Sequence, residues 1–598
     1  MLHALLEYAA RTDLTVVPGF KPKRIRWLLQ FTPTGEYIGL IAASEDRKGR
    51  EFPNVPDLQF TGEPLRQFLV DTAEYALLYG EDEPDDKLLA KHGYFLDRLR
   101  DAAEVEPFLG RIAAALTDPA TRQRIHADLD QQSPKAKSSD NVTFVEMTDR
   151  GPRLIVEQST WHHWWGTYWP DPFVKKDKGT KAKGKTPSPR MRCFLSGELV
   201  MPARIHPKIK GLGDVGGTIN TTLVGFDKRA FRSYGLEQSA NAAVSIELAE
   251  RYAAALNKLI AKQSKRLAGA KVVYWYTHDI PAEQDPLAQL IRGLGFTDDE
   301  SPPAEDAAPP ADDVRTIHQA VSRARELLEA IHAGRAPSHL RDCQYRALTL
   351  SGNAGRVVVR AWMEGQFQDL AGRVTDWFDH LAIVHRNGDG LAKPPKFLAV
   401  LGAMVRDLKE VSPPLETALW HSAVAGAPIP FEAMARTLAR VRIDVINDNP
   451  ANHARMGLLK AYLIRKEICQ MTPEQTDDLQ HPAYVCGQIM AVLAAIQRRA
   501  LGDVGAGVVQ RYYAAASATP ALVLGRLVRL AQTGHLPKID HKLRYWYDNQ
   551  LAQLWLKLRQ APPSVLDLEG QTLFAMGYYH QKATRPSTAE ESAPSDRQ

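Results

Sequence analysis

The chain has 598 residues, 44% of them hydrophobic and 24% charged, the proportions of a soluble globular chain, which argues against disordered, collagen-like and membrane-embedded classes. Its length exceeds one ordinary core and predicts three or four domains. Net charge is only +5, from 75 basic and 70 acidic residues, yet it is unevenly spread: −6 over 1–150, +10 over 151–296, −7 over 297–313, +3 over 314–487, +7 over 488–585 and −2 over 586–598. Two basic blocks of this kind are the footprint of a polyanion binder.

The opening stretch MLHALLEYAARTDL reads as a short amphipathic helix, not a signal peptide. IRWLLQF (25–31) and YIGLIAA (37–43) flank the turn TPTGE and predict a β-hairpin. In 64–79, Leu65, Phe68, Leu69, Thr72, Ala73, Ala76 and Leu77 recur at helical spacing and predict a helix, with more helices over 85–130. FVEMTD and RLIVEQ predict a strand pair about Asp149-Arg150-Gly151, and WHHWWGTYW (161–169) is a dense aromatic run. Between Lys175 and Lys185 stand six lysines, glycines and one aspartate, a composition that buries no face and predicts a mobile basic loop. Residues 205–241 are rich in glycine, lysine and asparagine. A long helix follows over about 244–265, and VVYWYTH (272–278) reads as a buried strand.

TDDESPPAEDAAPPADD (297–313), with four prolines, seven acids and no base, predicts a linker or exposed loop and the clearest boundary in the chain. Beyond it helices dominate, except in RALTLSGNAGRVVVRAWMEG (346–365), where two apolar runs about SGNAGR predict a hairpin. Residues 483–582 predict a bundle of four or five helices. Val485, Ile489, Val492, Ile496 and Ala500 follow helical spacing, as do Leu543, Tyr547, Leu551, Leu554 and Leu558, and breaks fall at Gly502-Asp503, Thr519-Pro520, Pro537 and Pro562-Pro563. The fold class is α+β: a mixed N-terminal half with small antiparallel sheets and a mostly α-helical C-terminal half ending in a bundle. The expected domains are 1–150, 151–296, the linker 297–313, 314–482, 483–585 and a disordered tail 586–598. No window is apolar enough for a membrane span. Cys193, Cys343, Cys469 and Cys486 show no CxxC spacing and form no disulfide framework, which predicts a reducing cytoplasm.

GLGDVGG (211–217) holds a GxGxxG string at Gly211, Gly213 and Gly216, but it opens no apolar helix and no GK[ST] follows, so neither a Rossmann site nor a P-loop is expected. With Gly217 it is either a surface loop or a loop whose NH groups approach phosphates. His162-His163 lack ligand spacing, and no metal, cofactor or catalytic constellation is expected. The run His206, Lys208, Lys210, Asn220, Lys228, Arg229, Arg232, Ser233, Tyr234, Gln238, Ser239, Asn241 combines cations that neutralise phosphates with amides and hydroxyls that read base edges. A solvated basic face with helix caps is the other reading. Arg498, Arg499, Arg511, Arg526, Arg529, Lys538, Lys542 and Arg544 in the bundle either track a single strand or solubilise a surface.

Several stretches carry a family resemblance: FLVDTAEYALLYG (68–80) with KHGYFL after it, IHPKIKGL (205–212), GFDKRAFRSYGLEQSAN (225–241), LTLSGNAGRVVVRAWMEG (348–365), KAYLIRK (460–466), HPAYVCGQIMAVLAAIQRRA (481–500), RYYAAASATPALVLGRLVRLAQ (511–532) and LFAMGYYHQK (573–582). In order, over most of the chain, they resemble the large subunit of the type I-C CRISPR Cascade, the subtype-C "Cas eight" family. Two positions depart: Ala242-Ala243 stands where the family has Ala-Pro, and Thr72 where it has Asn.

The resemblance implies a non-catalytic subunit that recognises the protospacer-adjacent motif in double-stranded DNA, promotes unwinding and R-loop formation, stabilises the displaced strand and helps recruit the helicase–nuclease, sequence reading being delegated to guide pairing. It locates motif reading in the segment holding Lys208, Lys210, Gly211, Gly213, Gly216, Gly217, Asn220, Lys228, Arg229, Arg232, Ser233, Tyr234, Gln238 and Asn241. Lys175, Lys176, Lys178, Lys181, Lys183 and Lys185 are expected to contact phosphates without sequence preference, and the eight bundle cations the displaced strand. Implied partners are crRNA-bound backbone and foot subunits and a small subunit translated internally from Met490 or Met471. A stand-alone metal-dependent DNA nuclease and a purely protein-binding scaffold are the rival readings.

Overall fold

A computed structural model describes residues 1–583 apart from 15, 59–64, 81–82, 170–189, 204, 220, 227, 232, 237, 293–339, 341, 389, 450, 475–478, 503 and 505–506. The lysine-rich run, the acidic segment 297–313 and the tail 586–598 therefore lie outside the described residues. The chain divides into two compact units, Met1–Lys210 with Ile219–Lys258, and Gly211–Thr218 with the chain from Leu259 onward. Among the described residues, no helix is long and apolar enough to cross a membrane, and all four cysteines are free.

The first unit opens with helix α1 (Leu2–Arg11) and strands β1 (Phe20–Ile25), β2 (Trp27–Phe31), β3 (Tyr37–Ala42) and β4 (Arg50–Pro56). β1 pairs antiparallel with β4, and β2 with β3 as the turn TPTGE between two apolar runs predicts. After β5 (Asp71–Thr72) come α2 (Ala73–Leu77), α3 (Asp86–Ala102), α4 (Pro107–Thr117) and α5 (Pro119–Asp130). Asp85 and Asp118 cap α3 and α5 by accepting Leu88 N–H at 2.7 Å and Thr121 N–H at 3.0 Å, while Pro107 and Pro119 occupy first-turn positions that need no N–H donor. β6 (Asn141–Thr148) then runs parallel to β2, Trp27 opposite Val142, with β5 and β7 (Gly151–Leu154) antiparallel to it. Among the described residues every other strand pair is antiparallel, and this parallel pair brings residues more than a hundred positions apart side by side.

The apolar face predicted over 64–79 is buried, but only Ala73–Leu77 is helical. Leu69 adopts φ 64° and Leu78 φ 58°, and Asp71 accepts Arg66 Nη2 at 2.6 Å, Arg66 Nε at 3.0 Å and the Gln67 N–H at 3.2 Å. The carboxylate draws the chain into a local turn that competes with the helix. The aromatic run forms α6 (His162–Tyr168) and the heart of this core. Trp161 and Trp165 are fully buried, their indole N–H groups donating to Ile155 O at 2.9 Å and Gly19 O at 2.7 Å. Short strands β8 (Met191–Arg192) and β9 (Leu199–Val200) and the long helix α7 (Ile246–Gln263) complete the series.

In the second unit β10 (Lys265–Arg266), β11 (Lys271–Tyr276), β12 (Gln344–Asn353) and β13 (Arg356–Gln366) form an antiparallel meander in that order, with α8 (Pro286–Arg292) between β11 and β12 in sequence. Because β11 precedes the acidic segment and β12 follows it, that segment joins two strands of one sheet. The helices are α9 (Phe367–Leu381), α10 (Phe397–Ala403), α11 (Pro413–Ala425), α12 (Phe431–Ile446), α13 (His453–Arg465), α14 (Pro482–Leu501), α15 (Val508–Ala518), α16 (Pro520–Leu530), α17 (His541–Leu558) and α18 (Leu568–Ala583). One continuous hydrophobic core runs from Leu267 to Ala583. The five-helix bundle is thus built onto the helices before it: Tyr462 Oη donates to Glu569 Oε1 at 2.7 Å and Tyr579 Oη to Val384 O at 2.5 Å. α14 and α18 cross at Gly487 and Gly577. A Cβ on either would stand 2.0 Å from a carbonyl oxygen of the other helix, Phe574 O or Tyr484 O.

Candidate nucleic-acid interface

The segment after β9 has no apolar periodicity, and it folds accordingly as loops and 3₁₀ turns held by side chains of α7. Buried His206 lies 2.6 Å from Tyr252 Oη, and burial, only partly offset by the Ala242 backbone, pushes the His206 pKa down to about 4. It is therefore neutral at pH 7. Lys208 bridges to Thr222, and Ile209 N–H donates to Thr221 O at 2.8 Å. Asn257 closes the clamp: its Nδ2 donates to Lys208 O at 3.0 Å and its Oδ1 accepts Lys210 N–H at 2.8 Å. The backbone of this basic stretch is fixed while the Lys208 and Lys210 side chains stay exposed.

Lys228 and Arg229 are also exposed, on a turn closed by the edge-to-face pair Phe226–Phe231, whose ring centroids lie 5.6 Å apart. Tyr234 follows at φ 56°, ψ 24° and is 99% exposed. Left-handed backbone costs a non-glycine residue about 1–2 kcal/mol, so this turn holds an aromatic ring in water at a conformational cost. Gln238 too has positive φ, 48°, and its carbonyl accepts Asn241 Nδ2 at 3.0 Å. The Asn241 amide is thus partly engaged within the turn. Asn220 and Arg232 lie outside the described residues, as does the Ser233 side chain.

Gly211–Thr218 belongs to the second unit, where its glycines pack against protein. A Cβ on Gly352, in the β12–β13 hairpin, would stand 2.2 Å from Gly217 Cα, and one on Gly216 (φ +85°) 2.7 Å from Gly352 O. Lys271 Nζ donates to Gly211 O at 2.6 Å and pairs with Asp214 at 2.9 Å. The close backbone approach made here is to the hairpin; only around Gly213 would a Cβ meet open space. Among the described residues, no group of three or more His, Cys, Asp or Glu is placed to hold a metal ion.

Comparison with protein families matches residues 3–585 to the family described as CRISPR-associated protein (Cas_Csd1). The chain belongs to the Csd1 family. Csd1 proteins are the large-subunit family of type I-C systems, which makes this chain a subunit of a CRISPR Cascade. Comparison with curated proteins finds no match.

In this Csd1 chain the eight bundle cations are all exposed. Arg498 and Arg499 end α14, Arg511 sits in the first turn of α15, Arg526 and Arg529 are one turn apart on α16, Lys538 ends the 3₁₀ turn Leu536–Lys538, and Lys542 and Arg544 lie in the first turn of α17. Arg498 faces Asp448 at 3.4 Å. Of the two family departures, Thr72 stands at the N-cap position of α2 without a side-chain cap bond, its Oγ1 buried and unpartnered among the described residues, and Ala243 is buried, its carbonyl accepting Phe194 N–H at 2.9 Å. Sequence reasoning missed Tyr252 and Asn257, which position the basic stretch. The one signal was an asparagine inside an otherwise apolar helical run, YAAALNKLI.

Proposed function

We propose that this Csd1-family subunit is the non-catalytic DNA-reading subunit of a type I-C Cascade. It recognises the protospacer-adjacent motif in duplex DNA, promotes unwinding beside it, holds the displaced strand and helps recruit the helicase–nuclease to the crRNA-bound complex in a prokaryotic cytoplasm. The family match over residues 3–585 carries this reading. The anchored stretch with exposed Lys208, Lys210, Lys228, Arg229 and Tyr234 supports it. The cations meet phosphates, Gln238 and Asn241 read base edges, and the Tyr234 ring is presented to unstacked bases.

The test uses the assembled complex and duplexes with a correct or scrambled motif. Lys228→Ala with Arg229→Ala weakens both duplexes alike and lowers the salt slope. Gln238→Ala and Asn241→Ala erase the preference between them. Tyr234→Ala leaves motif preference intact but suppresses opening, read by 2-aminopurine fluorescence beside the motif. Wild-type behaviour in all these variants sinks the assignment.

A separate small subunit read from the same frame is better begun at Met471 than at Met490. A product from Met471 spans 128 residues of this sequence and carries all of α14. Met490 lies inside α14, and starting there discards Tyr484 and Gly487, which pack on α18. With a C-terminal tag, Met471→Leu removes the small product and Met490→Leu does not; the reverse pattern overturns the choice.

A further inference from the structure

The net-negative N-terminal segment conceals a basic cavity. It measures about 400 Å³ and is lined by Arg24, Arg26, Arg47, Lys48, Lys135 and Lys137, with Asp140 as its one carboxylate. Sequence separates these cations, and the fold gathers them. Arg26 lies between β1 and β2, Arg47 and Lys48 lie in the β3–β4 connection, and Lys135 and Lys137 precede β6, which runs parallel to β2. Gly49 (φ +77°) lets the β3–β4 connection close onto this floor, since a Cβ there would stand 2.1 Å from Ile25 O.

Arg26 is 7% exposed and makes no ion pair among the described residues. Its Nη1 donates to Ser44 O at 3.1 Å and Asp46 O at 2.6 Å, and its guanidinium lies 4.7 Å from the centre of the Trp27 ring. A buried guanidinium held only by carbonyls and an aromatic face lacks a counter-charge. The nearby acids answer other cations of the cavity, and among the described residues none pairs with Arg26. Asp140 accepts Trp27 Nε1 at 3.1 Å and Lys137 N–H at 3.0 Å, Asp46 pairs with Arg24 at 3.1 Å, and Asp130 pairs with Lys135 at 3.5 Å. Exposed Arg47, Lys48 and Lys137 have no ion pair among the described residues.

We propose that this cavity is a second nucleic-acid site of the first unit, binding a strand by its phosphodiester backbone. One phosphate meets the Arg26 fork and its neighbours meet the lysine rim. The volume falls among small-ligand sites, roughly 300–1,000 Å³, enough for a nucleotide unit. The proposal does not depend on the motif reading at 205–241.

The test uses the full chain and motif-free 12-mers of single-stranded RNA, single-stranded DNA and duplex DNA. Lysine acetylation read by mass spectrometry is expected to show protection of Lys48, Lys135 and Lys137, and the protecting polymer identifies the strand. Lys48→Gln with Lys137→Gln is expected to weaken that polymer about tenfold at low salt. It should lower the salt slope by about 1.4 for a single strand, at about 0.7 per phosphate contact. Arg26→Lys is expected to weaken it with the fold retained. Three results overturn the proposal: no protection by any polymer, protection by tripolyphosphate alone, or an equal loss in the control Lys87→Gln with Lys91→Gln.

Discussion

Burial holds His206, His453 and His580 neutral. Desolvation pushes the first two down to about 4 and the third to about 3, where Lys460 adds repulsion and the Pro473 backbone partly opposes. The folded pKa lies below the unfolded value, so each histidine stabilises the fold fully above pH 6.5, and that stability is lost as pH falls toward 4. Each contributes a slope approaching about 1.4 kcal/mol per pH unit between the two values. Denaturant titrations from pH 7 to pH 4.5 are expected to show stability falling with pH, and a His580→Gln chain that keeps its fold should fall less steeply. A flat profile contradicts this. Asp71 shows the opposite chemistry: a buried carboxylate answered by a two-point Arg66 contact and two backbone N–H groups. Asp71→Ala leaves Arg66 unanswered beside Tyr75 and is expected to cost about 3–5 kcal/mol, measured by denaturation. Within the family stretch FLVDTAEY this aspartate is an anchor of the fold.

At the scale of elements, the α14–α18 crossing depends on two hydrogen atoms in place of methyl groups. Gly577→Ala or Gly487→Ala forces the helices apart and is expected to destabilise by at least about 1–3 kcal/mol. Gly525→Ala on α16, where a Cβ meets nothing within 4 Å, should be neutral or stabilising by up to about 1 kcal/mol. Thermal melts of the three variants settle the comparison, and equal shifts defeat the close-crossing argument. The bundle and hairpins were legible because their signals are local: a period of 3.6 or 2 between turn residues. The segment 64–79 was not, because a helical apolar pattern is also satisfied by a buried turn once Asp71 competes for the backbone. The Arg26 cavity was invisible because its cations come from residues 24–48 and 135–137, brought together by the parallel β2–β6 pair. Summed along the sequence, they are outweighed by the acids between and around them.

For the whole molecule, composition marked 297–313 as a boundary, while the β11–β12 ladder and the common core place both flanks of that segment in one unit. Co-expressed fragments 1–296 and 314–598 are therefore expected to assemble and co-purify, the ladder running from Lys271 opposite Leu350 to Tyr276 opposite Tyr345. Failure to co-purify would show that the covalent link is needed. The candidate interface was legible as a segment but not as geometry: the cations could be named, whereas the Asn257 clamp, the raised Tyr234 ring and the docking of the glycine loop on Gly352 arise from tertiary contacts. α18 is buried almost all round, from Gly570 to His580. In the full chain Tyr579 and Thr572 are interior positions touching Val384 and Met434. A polypeptide made of the bundle alone would turn those side chains outward. If the internally started product proposed above is made, the codons for 568–583 answer to two selections at once, and a substitution harmless to one product can disable the other.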